Sequence, residues 1–506
     1  MLKNVSGHPG TRAGKCTRTA GVPAIISPAP FRRTPATLSS VPAPGMAASV
    51  ASDQNRQPLP ASHLMMTRLL QLLLVVLAAM PALAGLELTL RVDSKPYSGK
   101  SLGFTRVKGQ KEEPPEQWTA RVKLDGSSLW YEREGETTVY DFAQRRIYVS
   151  EANKPLVERS LFSEVGGRDR EMTNRVYLIE VMGGKAAIPL AVSEHGLSMD
   201  GGRKKGKVDR AEKGGTVRFR ANRLDLADYP MDFVDATNEE RAGFARFIAL
   251  TFNAHPVVLA DLRQAKGIPR TLRIVQHTVS RELLISVTGA APSTDTPPAI
   301  SPERHLMIES DKDLAPLVAA AAAISPLAAD SAERKILTDG TAFAAAGANL
   351  DAFLAWMEYG LMTGRDLPAD IEGQMSALAN DPKVRVLRTA LSPQSASEAR
   401  QALTVLQGLR SSAPAKAHIL TIFEGDFLMN LGESAAAEKK FLEVLRKQPR
   451  IAGVWKDLGD LYYNGYDPTR AWDCWTVARS IAPNHRLLGN VNKLEEYLAA
   501  TYPGFF

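Results

Sequence analysis

The sequence predicts two parts in series: an α+β domain on a mostly antiparallel sheet, then an all-α array of helix pairs. Three observations predict it. Short apolar/polar alternations separated by turn residues recur between residues 86 and 289, the period of half-buried strands. From Asp311 onward the chain is alanine-rich, with apolar residues at helical spacing. Near the C-terminus, small, aromatic and proline residues recur with a period of 34, the mark of stacked repeats.

Residues 1–65 are rich in Pro, Ala, Ser, Thr and Arg and show no apolar periodicity, so they read as a mis-assigned start or a disordered tail. Met66 opens a signal-peptide pattern. Thr67 and Arg68 form a short positive region, Leu69 to Met80 an apolar core interrupted only by Gln71, and Pro81 a helix stop. Ala82-Leu83-Ala84 then supplies a small-x-small cleavage site before Gly85. The core is short for a span, which takes roughly 20 apolar residues. Segment 66–84 therefore predicts an exported protein, periplasmic or secreted; an inner-membrane signal anchor is the alternative. Residues 1–68 hold eight basic residues and one acid, Asp53, which is the whole formal charge of +7. The remainder is neutral, so the basic balance does not argue for nucleic acid. Beyond Ala84 the chain keeps a single cysteine, Cys474, which excludes an internal disulfide and a lipoprotein anchor.

Residues 85–290 are assigned to the β-rich α+β domain. Leu86 to Val92 and Trp118 to Leu124 alternate as strands with one wet face. Asp125-Gly126 is a hairpin signal leading into Ser128 to Glu132, and Glu134-Gly135 turns the chain before Thr137 to Phe142. Arg146 to Ser150, Arg175 to Met182, Ala187 to Ser193 and Thr216 to Ala221 are read as further strands. Asp200 to Gly215 reads as a basic loop carrying Arg203, Lys204, Lys205, Lys207, Arg210 and Lys213, and an acidic run from Asp225 to Glu240 reads as its complement. Thr237 and Glu240 form a capping box for a helix bearing Phe244, Phe247, Ile248 and Phe252. A second helix runs from Pro256 to Ala265, and strands at Thr271 to Gln276 and Leu283 to Val287 complete the sheet. Residues 291–303 are a proline-rich linker, and 304–381 a helical region in which Leu350, Phe353, Leu354, Met357 and Leu361 form a stripe ended by Gly364.

Counting Ala452 as position 1 puts Trp455 at 4, Leu458 at 7, Gly459 at 8 and Tyr462 at 11. Ala471, Trp475, Ala478 and Pro483 follow at 20, 24, 27 and 32. Gly459, Ala471 and Ala478 lack bulk where two helices must touch, the larger residues fill the seam, and Pro483 stops the second helix. This set resembles the tetratricopeptide repeat at every signature position. The preceding unit, 418–451, keeps Gly425, Ala437, Phe441, Val444 and Pro449 in phase but has Thr421 and Glu424 at the Trp and Leu positions. Residues 382–417 are a degenerate copy with Ala402, Leu406, Leu409 and Pro414, and 486–500 a capping helix, so the repeat region spans 382–506 as a solenoid. The resemblance implies a concave face lined by Ile422, Asp426, Met429 and Asn430, then Lys456, Asp460, Tyr463 and Asn464, as the site for a protein partner. Asp at position 9 departs from the Asn of carboxylate-clamping relatives and argues against an anionic chain end as ligand.

In the first domain, Ser128-Leu129-Trp130-Tyr131, Val139-Tyr140-Asp141-Phe142 and the late helix before Gly267-Ile268-Pro269 resemble periplasmic lipoprotein-carrier-like proteins. That resemblance implies a half-barrel sheet with covering helices around an apolar cavity, hence an apolar or lipid ligand. Catalytic motifs are not found. Gly99-Lys100-Ser101-Leu102-Gly103 fits the nucleophile-elbow string, but a turn precedes it where a strand is needed. No C-x-x-C, H-E-x-x-H or dinucleotide fingerprint occurs, so neither a metal nor a cofactor is assigned. The expected function is an exported, non-catalytic interaction scaffold. The rival is a cell-envelope hydrolase whose site would pair His195, His255 or His277 with a serine or carboxylate.

Overall fold

The computed structural model describes residues 85–99, 114–151, 154, 156–181, 208–221, 224–277, 281–293, 304–324 and 326–506. Its first half is an open, mostly antiparallel sheet. β1 (Gly85–Pro96), β2 (Glu116–Leu124), β3 (Ser128–Arg133), β4 (Glu136–Asp141), β5 (Arg146–Glu151) and β6 (Leu156–Ser160) run as a meander. Helix α1 (Leu161–Val181) follows, then β7 (Val208–Lys213), β8 (Thr216–Ala221) and β9 (Leu224–Pro230). A small ribbon pairs β10 (Phe233–Val234) with β11 (Ile268–Pro269), around helices α2 (Asn238–Phe252) and α3 (Pro256–Gln264). β12 (Thr271–Gln276) and β13 (Arg281–Ser293) return to the sheet, and β14 (Arg304–Leu306) adds parallel to β6. The order among the described residues is β14-β6-β5-β4-β3-β2-β1-β13-β12-β9-β8-β7.

Alternation fixes which face is dry. One cross-strand row reads Leu88, Val122, Tyr131, Thr138, Val149; its neighbour reads Glu87, Lys123, Trp130, Val139, Tyr148. Helix α2 lies on the first face, where Phe247 meets Tyr131 with ring centroids 5.5 Å apart. Both turn glycines of the meander, Gly126 (φ +82°) and Gly135 (φ +86°), sit in the left-handed region that favours glycine. Helix α2 starts with the reciprocal capping box: Glu240 N–H donates to Thr237 Oγ1 (3.2 Å) and Thr237 N–H to Glu240 Oε2 (2.7 Å). Its C-terminal carbonyls of Ala249 and Leu250 accept from the Arg168 guanidinium on α1 (3.1 and 2.6 Å).

Several expectations are corrected. Residues 175–181 belong to helix α1, not to a strand. Ser160 starts that helix by accepting the Phe162 N–H, and Leu161, Phe162 and Val165 bury one side of it, which decides the element over local β propensity. The basic loop becomes strand β7 from Val208 onward, paired with β8. Arg203, Lys204, Lys205, Lys207 and the strand expected at Ala187 to Ser193 lie outside the described residues, as does Ser101. The acidic run contains a strand, β9, whose Leu224, Leu226, Ala227 and Tyr229 are buried while Asp225 and Asp228 pair with Arg220 and Arg273. Strand β13 runs to Ser293, into the linker, and the region 304–381 opens with strand β14.

The second half is all helical. After α4 (Ala315–Ala322) come α5 (Pro326–Ala345), α6 (Asn349–Thr363), α7 (Ala369–Ala377), α8 (Pro382–Ala390) and α9 (Ala396–Leu409). Then follow α10 (Ala417–Asn430), α11 (Ser434–Lys447), α12 (Ala452–Asn464), α13 (Pro468–Ile481) and α14 (Gly489–Thr501). Consecutive helices pack as antiparallel pairs, α10 on α11 and α12 on α13. No helix among the described residues is long and apolar enough to cross a membrane.

Candidate functional site

Two helix pairs set the geometry one period apart. A β-carbon on Gly425 would lie 2.6 Å from the Phe441 ring, and one on Gly459 would overlap the Trp475 indole, so each glycine marks the closest approach of its pair. Trp455, Leu458, Ala471, Trp475 and Ala478 are fully buried between them, and Tyr462 is buried with its hydroxyl on Glu438 (2.7 Å). Trp455 Nε1–H donates to the Pro449 carbonyl (2.7 Å). Pro483 is exposed just beyond the end of α13.

The weaker unit has its own chemistry. Glu424 and Thr421, at the Leu and Trp positions, both receive Arg410 from the segment after α9. The guanidinium spans both Glu424 oxygens (2.9 and 2.8 Å), and Lys440 of α11 adds a third contact at 2.7 Å. The carboxylate is fully buried, so the seam is held by a charge network instead of an apolar contact.

Half of the expected concave face is buried within the chain itself. Ile422, Asp426, Lys456 and Tyr463 are buried; Met429, Asp460 and Asn464 are partly exposed; Asn430 is exposed. Helix α6 lies across α8, α10 and α12, with Leu361 against Gly453. Its Glu358 accepts from Lys416 Nζ (2.6 Å) and shares a hydrogen bond with His418 Nε2 (3.0 Å), while Asp351 accepts the Lys416 N–H (2.9 Å). Burial pushes Glu358 upward, but His418 and Lys416 outweigh it and hold the carboxyl below its ordinary range. Asp460 is spent inside its own unit, accepting Trp475 Nε1–H (3.2 Å) and Lys456 Nζ (2.5 Å). Tyr463 packs between Trp472 and Trp475, and burial lifts its phenol to about 12.

What stays open is the rim where first and second helices join. Tyr466 holds a left-handed backbone (φ +65°) and is 54% exposed. The Arg170 guanidinium stacks on Tyr466 and Tyr463 (4.7 and 4.8 Å) and donates to the Asn464 carbonyl (3.4 Å). Sequence reasoning missed both residues. Tyr466 lies just past the last concave position, and Arg170 reaches it from a helix that was read in part as a strand.

In the sheet domain, Arg133 stacks on Trp118 (4.4 Å) on the face that carries α2. The Trp118 Nε1 and Arg133 Nε atoms are buried without a hydrogen-bond partner. Burial raises the phenol of neighbouring Tyr131 and pushes that of Tyr140 up to about 12. The two described histidines of this domain bond to backbone, His255 Nδ1 accepting the Val257 N–H (3.2 Å) and His277 Nε2 meeting the Asp225 carbonyl (2.8 Å), while His195 lies outside the described residues. Burial lowers His255 to about 4. Among the described residues no cluster of three or more His, Cys, Asp or Glu could hold a metal. No protein-family model and no curated protein matches the chain.

Proposed function

We propose that the protein is an exported, non-catalytic interaction scaffold in which the helix pairs form a short tetratricopeptide-type solenoid whose rim takes a protein partner. Its inner face is occupied by α6, so the partner surface is Asn430, Asn464 and Tyr466. The observation that carries this reading is Tyr466: a strained, exposed aromatic beside an arginine is the kind of anchor that interfaces use. Export rests on the 66–84 segment. A photo-crosslinking residue at Asn430 or Tyr466, placed in the full chain in an exporting bacterial host, is expected to give one discrete adduct. The same residue at exposed Val386 on α8 is expected to give none. Adducts at all three sites, or at none, would overturn the rim.

A second reading is favoured by the unpartnered Trp118 Nε1 and Arg133 Nε atoms: the sheet domain takes an apolar ligand with a polar head at that end. Organic extraction and mass spectrometry of the natively exported chain would then release a lipid near one per protein. A clean extract rejects it. The hydrolase alternative would need a serine or carboxylate on His195, His255 or His277; His195 lies outside the described residues, and the other two imidazoles make the backbone contacts described above.

A further inference from the structure

A shallow pocket on the wet face is lined by Gly85, Lys123, Leu124, Asp125, Ser128, Trp130 and Ser293. It exists because Gly85, the first residue of β1, has no side chain: a β-carbon there would lie 2.5 Å from the Leu124 carbonyl oxygen. Gly85 stands directly opposite Ser293 in the β1–β13 register. Ser293 is 7% exposed and its Oγ has no hydrogen-bond partner; Trp130 Nε1 is buried and unpartnered beside it. Asp125 brings a carboxylate that binds Ser128 Oγ (2.7 Å). Lys123 also lines the pocket, its ammonium 4.0 Å from the Trp130 ring centre and 3.5 Å from Glu87. From α2, Glu239 lies over Gly126, and Arg246 donates to the Gly126 carbonyl (3.4 Å).

Gly85, which lines this pocket, is also the residue that follows the small-x-small site Ala82-Leu83-Ala84. Hydrolysis of the Ala84–Gly85 bond adds one water, leaving a carboxylate on Ala84 and an amine on Gly85 that protonates to an ammonium with three donors. Uncleaved, the same nitrogen is a neutral amide with one. We propose that this pocket is the seat of the new α-ammonium group of Gly85, held by the Ser293 hydroxyl and the Asp125 carboxylate. The proposal rests on the export reading above and gives cleavage a structural consequence: the first strand of the sheet is pinned at its new end.

The test is intact mass plus pH-dependent acylation of the N-terminal amine in the full chain from an exporting host, compared with Ser293→Ala and Asp125→Asn. The expected mass is that of residues 85–506 in all three. At neutral pH the wild-type amine should be acylated about tenfold more slowly than either variant's, the size of one pKa unit. A wild-type mass that retains residues 1–84 would defeat the export reading itself. A mass beginning at Gly85 with equal acylation rates in all three would overturn the seat and leave export standing.

Discussion

Gly459 and Gly373 are both helical glycines, yet alanine at each should move stability in opposite directions. At Gly459 the added methyl meets the Trp475 indole; the overpacking costs roughly 1–3 kcal/mol and outweighs the gain in helix propensity. At Gly373, in exposed α7, nothing lies within 4 Å, so the same change is expected to stabilise by up to about 1 kcal/mol. Thermal unfolding of the two variants beside the parent checks the signs. These positions also show where the sequence was readable at residue scale. Gly459 and Trp475 announce themselves by spacing and size. The Arg410–Glu424–Lys440 network does not, because Glu424 at an apolar position looks like a defect until Arg410 is seen to reach it. Tyr466 gives no signal in sequence, since a left-handed tyrosine is a property of the turn that holds it.

Helix α13 is the element that ties the two halves together. Its Asp473 is buried and accepts the Ile308 N–H just after β14 (3.1 Å). Burial lifts the carboxyl from its ordinary range to about 7. The folded chain therefore keeps a proton that the unfolded chain releases near pH 4, so this group's contribution is greatest in acid and fades as pH rises through about 7. Asp473→Asn keeps an acceptor and removes the titration. The melting temperature of the parent relative to this variant should be higher at pH 5 than at pH 8; a difference independent of pH would refute the assignment. Comparison of the pair also cancels His255, His277 and His485, whose depressed values act in the opposite sense. Elements with strict periods were legible: β1 to β5, β8 and α2 follow from alternation or a capping box. Strand β9 was hidden by Asp225 and Asp228, which ladder arginines pair. The end of α1 was misread because its helical state is set by packing at Leu161 to Val165, before the stretch that looked like a strand.

At the scale of the molecule, the described sheet and helices share a continuous apolar core, beside a small separate cluster of Ala352, Trp356 and Ile371. A β-carbon on Gly166 of α1 would overlap Trp472, and the Asp169 carboxyl, raised by burial, receives the hydroxyls of Tyr502 and Tyr497. Phe506 packs on Phe162 at 4.9 Å, and the Gly504 carbonyl accepts from Arg263 (3.1 Å). Deleting residues 502–506 removes Tyr502 and Phe505 from this core, roughly 1.5–3 kcal/mol for each buried ring. We expect a lower melting temperature for the sheet as well as the helices, in one transition; an unchanged sheet would mean that the halves are energetically separate. The sequence suggested two parts in series and could not reveal this junction, because no local pattern encodes which side of a helix pair meets a sheet edge. Nor could it place α6, whose apolar stripe suits any neighbour. The central proposal is that α6 fills the inner face of the helix array and leaves the rim open to a partner. Hydrogen–deuterium exchange across Asn349–Thr363 in the full chain tests it most directly. Protection comparable to that of α12 is the expected result; exchange at the rate of an exposed helix would mean an open groove and would contradict the account.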